Sequence, residues 1–184
     1  RRGHSRRRGD GRVTGVFDVS KGDLVGLVIG AGGAGATAAV ATGTATASVT
    51  LDEIATMEAE HGPRWVVWSQ ATTGALVAAG IRVARAWDLV AVHRLLYGGW
   101  SSDPGRIWAR LNGLSTANLP QVRPPDLFNQ VDPAATGDDP IDDDGYVRAD
   151  WAAGAWGESS ERAAAWARLA WRAAHLQQGW LDAS

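Results

Sequence analysis

The chain has 184 residues, a formal net charge of −2 and 45% hydrophobic residues, which suits one domain with a real core and argues against global disorder. The absence of cysteine excludes disulfides and thiolate metal sites, and the near-neutral charge gives no nucleic-acid footprint over the chain as a whole. No apolar run reaches the roughly 18 residues of a membrane span and no signal-peptide pattern opens the chain, so a cytoplasmic protein without a membrane partner is expected.

Residues 1–12, RRGHSRRRGDGR, are basic, polar and glycine-punctuated, the pattern of a disordered arm. Such an arm either touches phosphates or is simply upstream sequence. Val13–Val19 and Leu24–Ile29 read as two strands about a Ser20–Asp23 turn. Gly30, Gly32 and Gly35 then match the spacing of a dinucleotide-binding loop. The small, threonine-rich residues that follow lack the large apolar stripe of a helix packed on a sheet, so a plain loop and a short strand at Ala45–Val49 are predicted instead. Dinucleotide binding at these glycines stays as an alternative reading.

Thr50 and Glu53 have the capping-box spacing and predict a helix from Leu51 to about His61, with Ile54 and Met57 inward. The stretch 63–97 alternates strand and helix signals. Arg64–Trp68 is an apolar, β-branched run, and Thr72–Ala79 a short helix ended by Gly80. Ile81–Trp87 alternates apolar and charged residues, and Asp88 caps a helix that reaches Tyr97. Short connections between them describe a parallel α/β unit.

Asp103 and Pro104 open a further helix ending near Asn112. Residues 115–145 are proline- and aspartate-rich and read as a flexible loop anchored by Leu127 and Phe128. The cluster Asp138, Asp139, Asp142, Asp143 and Asp144 lacks the residue order of a calcium loop, so a solvated acidic loop is expected. Tyr146–Ala155 predicts a short helix, and Ser159 or Ser160 caps a final one to about Gln178 with an alanine-rich packing surface. The histidines His4, His61, His93 and His175 have no metal-ligand spacing, and no nucleophile elbow or phosphate-loop lysine is present. The tryptophans, ten against two tyrosines and two phenylalanines, read first as core and helix-interface residues, with base stacking as the functional alternative.

The pieces PRWVVWS, LVAAGIRVARAWDLVAVHRLLYGGW, DPGRIWARLNGL, DLF and DGYVRADWAAGAW followed by SSERAAAWARLA occur in order over about residues 50–180. Together they resemble the 3′–5′ exonuclease-type domain that precedes the polymerase domain in family A DNA polymerases, in the actinobacterial bifunctional form. The resemblance implies a ribonuclease-H-like (DnaQ-like) α/β fold with a mixed sheet and flanking helices. It also implies DNA and a family A polymerase domain, in cis or in trans, as partners in replication or repair. Active relatives hold two divalent metals, magnesium or manganese, on carboxylates.

The resemblance puts the family's first motif, Asp-x-Glu, at Asp18, with Ser20 where the Glu belongs. It puts the second motif at Thr72, and the third at Trp156 and Ser160. Only Asp18 keeps a carboxylate. The expectation is therefore a degenerate, inactive module with no cofactor, structural or DNA-positioning in role. The competing expectation is an active nuclease assembled from displaced carboxylates Asp18, Asp88, Glu158 and Glu161.

Overall fold

Leu24-Val-Gly-Leu-Val-Ile forms β1 (Leu24–Ile29), a strand covered on both sides, which is why it reads as a continuous apolar run. The computed structural model describes residues 18–30, 38–121 and 137–183. These build an α/β domain around a five-stranded mixed sheet with helices on both faces.

Three strands come first: β1, β2 (Ala38–Ala41) and β3 (Thr46–Val49), each antiparallel to its predecessor. Helix α1 (Leu51–His61) then carries the chain to β4 (Arg64–Val67), which pairs parallel to β1 on its other side. Helix α2 (Gln70–Ala78) leads to β5 (Ala86–Asp88), parallel to β4. The strand order is β3-β2-β1-β4-β5. Helices α3 (Leu89–Tyr97), α4 (Pro104–Leu111), α5 (Ala149–Ala153) and the long α6 (Ser160–Asp182) follow.

Side chains alternate between two cores, as the period of a strand requires. Val25 and Leu27 of β1, with Val40, Trp65 and Val67, meet Ile54 and Met57 of α1 and Leu76 of α2. Val28, Ala39, Ala41, Val66 and Trp68 face Ile107 and Trp108 of α4, Trp151 of α5 and the alanine-rich face of α6. Helix α6 lies very close to the sheet. A Cβ added at Gly26 would stand 2.1 Å from the carbonyl oxygen of Ala167. The small residues Gly26, Ala39 and Ala41 on the sheet match Ala163, Ala167, Ala170 and Ala174 on the helix.

That match explains a strand missing from the sequence prediction. Ala38-Ala-Val-Ala has weak intrinsic strand preference, and its place in the sheet follows from small residues under a close helix. Among the described residues the sheet holds five strands, one of them, β2, not expected. Residues 18–20 carry no strand, and the rest of the expected Val13–Val19 lies outside the described residues, as does the arm 1–12. The expected strand Ile81–Trp87 shortens to Ala86–Asp88. Ile81 instead drops into the core under α2, and the Ala84 N–H donates to the Glu58 carboxylate at 2.9 Å rather than to a neighbouring strand.

The capping predictions hold: Thr50 and Glu53 form the reciprocal box, Asp88 caps α3, Asp103 caps α4 with Pro104 in its first turn, and Ser159 caps α6. The expected loop over 115–145 is built at both ends, its middle, including Leu127 and Phe128, lying outside the described residues. Thr116–Asn118 makes a 3₁₀ turn, and Ile141 bridges Val147 antiparallel. The bridge draws Tyr146 and Val147 out of the helix predicted at Tyr146–Ala155, which is therefore reduced to α5 and a 3₁₀ turn at Ala155–Glu158. Indole N–H groups fasten this segment: Trp108 donates to the Gly145 carbonyl at 3.0 Å and Trp151 to the Gly137 carbonyl at 2.9 Å.

Candidate functional site

In an open α/β sheet, ligands bind beyond the carboxyl ends of the strands where the winding direction changes. Here that point lies between β1 and β4, because the chain adds β2 and β3 on one side of β1 and β4 and β5 on the other. The side chains that reach it on the α6 face are aromatic and aliphatic. Trp68, just past β4, stacks on Trp166 of α6 with ring centroids 4.6 Å apart and planes at 24°. Trp151 tilts against Trp166 at 6.1 Å. The Arg162 guanidinium lies over Trp151 at 5.0 Å.

Arg162 organises the polar rim of this cluster. It donates to the Ala155 and Gly137 carbonyls and to Glu158 at 3.0 Å, and its Nε stands 3.7 Å from Asp138. Two carboxylates, Glu158 and Asp138, are thus turned to an arginine. The buried Trp68 Nε1 has no acceptor.

The sequence-predicted residues are not drawn into one site. Asp18 is exposed and precedes the Ser20–Asp23 turn, so it does not sit on β1, and β1 itself contains no carboxylate. Its residues facing α6 are Leu24, Gly26 and Val28, and Gly26 has no room for any side chain. Thr72 occupies the first turn of α2, where its N–H bonds the Ser69 carbonyl at 3.2 Å. Ser160 opens α6 and is exposed, and Trp156 packs half-buried against the core.

Three of the displaced carboxylates have a local task. The Asp88 carboxylate accepts from the Ala91 N–H at 3.0 Å, and Glu158 pairs with Arg162. Hydrogen bonds from the Glu161 backbone N–H and from the hydroxyls of Ser159 and Ser160 hold the Glu161 carboxyl below its ordinary range. Among the described residues no group of three His, Asp or Glu side chains stands ready to hold a metal ion. Aspartates of the acidic loop cap their own turns: Asp139 accepts from the Ile141 N–H, and Asp142 accepts from those of Asp144 and Tyr146. The donor set at the switch point, apolar residues and an arginine, does not fit a pair of divalent cations.

The glycine loop lies mostly outside the described residues. A dinucleotide site needs a helix straight after the strand. Among the described residues the next element after β1 is β2, antiparallel to β1. Gly32 and Gly35 lie outside the described residues.

Two polar residues of structural weight escaped sequence reasoning. Gln177, wholly buried, accepts from Trp87 Nε1–H at 2.8 Å and donates to the Leu89 carbonyl at 2.9 Å, tying α6 to β5 and α3. Glu58 accepts from Trp65 Nε1–H at 2.7 Å and from the Ala84 N–H. A polar residue at a packing position of an apolar helix stripe was the available signal for Gln177; Glu58 carries none.

Comparison with protein-family models, curated proteins and solved structures finds no match. Among the described residues no helix is long and apolar enough to cross a membrane.

Proposed function

We propose that this chain is a ribonuclease-H-like, exonuclease-type domain without a working metal site, acting as a structural or DNA-positioning module beside a family A DNA polymerase domain, in cis or in trans. The observation that carries the reading is the sheet. Three successive strands make an antiparallel meander, and two further strands join β1 from the other side through helical crossovers, in parallel. A ribonuclease-H-like architecture calls for this order and these directions. The inactive state is supported by what replaces a metal centre, namely Gly26 and Val28 on β1 and the stacked Trp68 and Trp166 at the switch point.

The test is a trimming assay on 3′-labelled single-stranded DNA with magnesium or manganese, run beside a binding titration at two salt concentrations. The expected result is salt-sensitive binding without trimming. Metal-dependent trimming that disappears in Asp18→Ala would overturn the inactive reading. Neither trimming nor binding would leave only the structural role.

A further inference from the structure

Helix α3 is held by fewer side chains than α4 beside it. It buries Leu89 at its start and His93 in its middle, whereas α4 buries Gly105, Ile107, Trp108, Ala109 and Leu111. The Gln177 side chain donates to the Leu89 carbonyl and fixes the first end of α3 to α6. At its other end the chain passes into Gly98 and Gly99, both at positive φ (68° and 78°), with open space where a side chain would stand. Those glycines are a ready pivot. His93, at 2% exposure, is the buried side chain that seats the half of α3 running to them.

The His93 ring packs on the Tyr97 ring with centroids 4.9 Å apart, and Arg110 of α4 covers the same tyrosine at 5.4 Å. Neither His93 Nδ1 nor the Tyr97 hydroxyl has a hydrogen-bond partner. The charges that act on His93 come from α4: Arg110 and Arg106 oppose a proton on the ring, and Asp103 favours one. Asp103 is itself engaged, since it accepts from the Arg106 N–H at 3.0 Å and lies 3.6 Å from Arg106 Nε. Other ionisable groups nearby are turned elsewhere. Asp88 accepts from the Ala91 N–H, Arg94 donates to Ser102 Oγ, and His175 of α6 lies against Trp171. Helix α6 meets α3 through Gln177 and Trp180, which carry no charge, and Asp182 beyond them is not among the charges felt by the ring.

A proton taken up by this ring places a buried charge, with no acceptor at Nδ1, in the field of two guanidinium groups. The least disruptive relief is local. Lifting residues 93–97 carries the ring to water and away from Arg106 and Arg110, while α4 keeps its own buried residues in place. A detached piece that short does not hold its helical hydrogen bonds. We propose that residues 93–97 are an acid-released flap: protonation of His93 frees them from α4, between the Leu89 anchor and the Gly98–Gly99 pivot, while the sheet, α4 and α6 stay folded.

The seated ring holds a proton less readily than the released one, which titrates near the ordinary 6.5. The released form therefore takes up the proton first as pH falls, and opening grows from 6.5 downward until the lowered seated value is passed. One proton drives the step, so opening rises by at most about tenfold per pH unit over that interval.

The experiment is amide hydrogen exchange of the full chain from about pH 8 to about 5.5, corrected for intrinsic rates. It is run on the wild type, His93→Gln, Arg110→Gln and, as a control, His175→Gln, each checked for folding by circular dichroism at the upper pH. In the wild type, amides 93–98 are expected to lose protection below 6.5 while those of α4, β1, β4 and the centre of α6 keep theirs. His93→Gln is expected to remove the loss, and His175→Gln to leave it as in the wild type. Arg110→Gln is expected to make it smaller, because the seated ring then resists a proton less; this variant decides the matter if His93→Gln does not fold. Protection of 93–98 that persists to the lowest pH overturns the proposal. So does equal loss across α3, α4 and α6, which is global unfolding, and so does a loss that His93→Gln or Arg110→Gln leaves unchanged or that His175→Gln abolishes.

Discussion

Gly26 sets the distance between α6 and the sheet. A methyl group there would collide with backbone, the Ala167 carbonyl at 2.1 Å, and not with a side chain that can turn away. Gly26→Ala is therefore expected to lower stability by about 1–3 kcal/mol, the cost of overpacking a dense core, or by more if α6 must lift. Urea denaturation would measure it, and an unchanged midpoint would refute the close contact. His93 gives a second prediction at this scale. It is 2% exposed, packs on Tyr97 and has no partner at Nδ1. Burial, then the nearby Arg110 and Arg106, hold its imidazole below the ordinary histidine value of 6.5, with Asp103 opposing. The folded state thus releases the proton more readily than the unfolded chain, which titrates near 6.5. Unfolding takes up a proton in that window, so His93 favours the fold above 6.5, and stability falls as pH drops from there through the lowered folded value. Burial lowers His175 in the same direction. Unfolding midpoints between about pH 8 and 5 should decline, and His93→Gln should flatten the decline.

Caps and turns decide where the elements begin. Asp88 offers the cleanest separation of a structural from a chemical carboxylate, since it caps α3 through the Ala91 N–H and was also a displaced-carboxylate candidate. Asparagine caps a helix as well as aspartate, whereas alanine does not. Asp88→Asn is expected to keep the wild-type melting midpoint, and Asp88→Ala to cost about 1 kcal/mol. A loss in the asparagine variant as large as in alanine would mean that the charge does something other than cap. The capping signals were legible because each is local: Thr50 with Glu53, Asp88, and Asp103 with Pro104 act on hydrogen bonds within a few residues. Strand β2 was not legible, because alanines join a sheet only when something close covers them, and α6 lies far along the chain. Strand β5 was over-read, because the alternation from Ile81 to Trp87 describes which residues are inward, not which backbone groups pair. At the candidate site, Trp68 and Trp166 were each readable as apolar residues, but their stack joins positions nearly a hundred residues apart in the chain.

In the whole molecule, burial on both faces should govern local stability. Strands β1 and β4 lie in the middle of the sheet, with helices above and below, while β3 and β5 form its edges among the described residues. Amide hydrogen exchange should be slowest in β1, β4 and the centre of α6, and faster in β5, whose three residues have one strand neighbour. Uniform protection across the sheet would contradict this layering. The same centre bears on function. At Gly26 the strand has no room for a carboxylate side chain, which agrees with the proposed loss of nuclease chemistry.

Sequence alone determined the elements whose causes are local. These are the capped helices, the apolar strands β1 and β4, the α/β class, and the absence of cysteine. Tertiary structure alone decided which strand stands beside β1 and that Trp68 meets Trp166 over the switch point. Those outcomes depend on the distance at which α6 crosses the sheet, and that distance is set jointly by small residues on two segments more than a hundred residues apart. No local propensity encodes such a match, because its free energy appears only when both surfaces close.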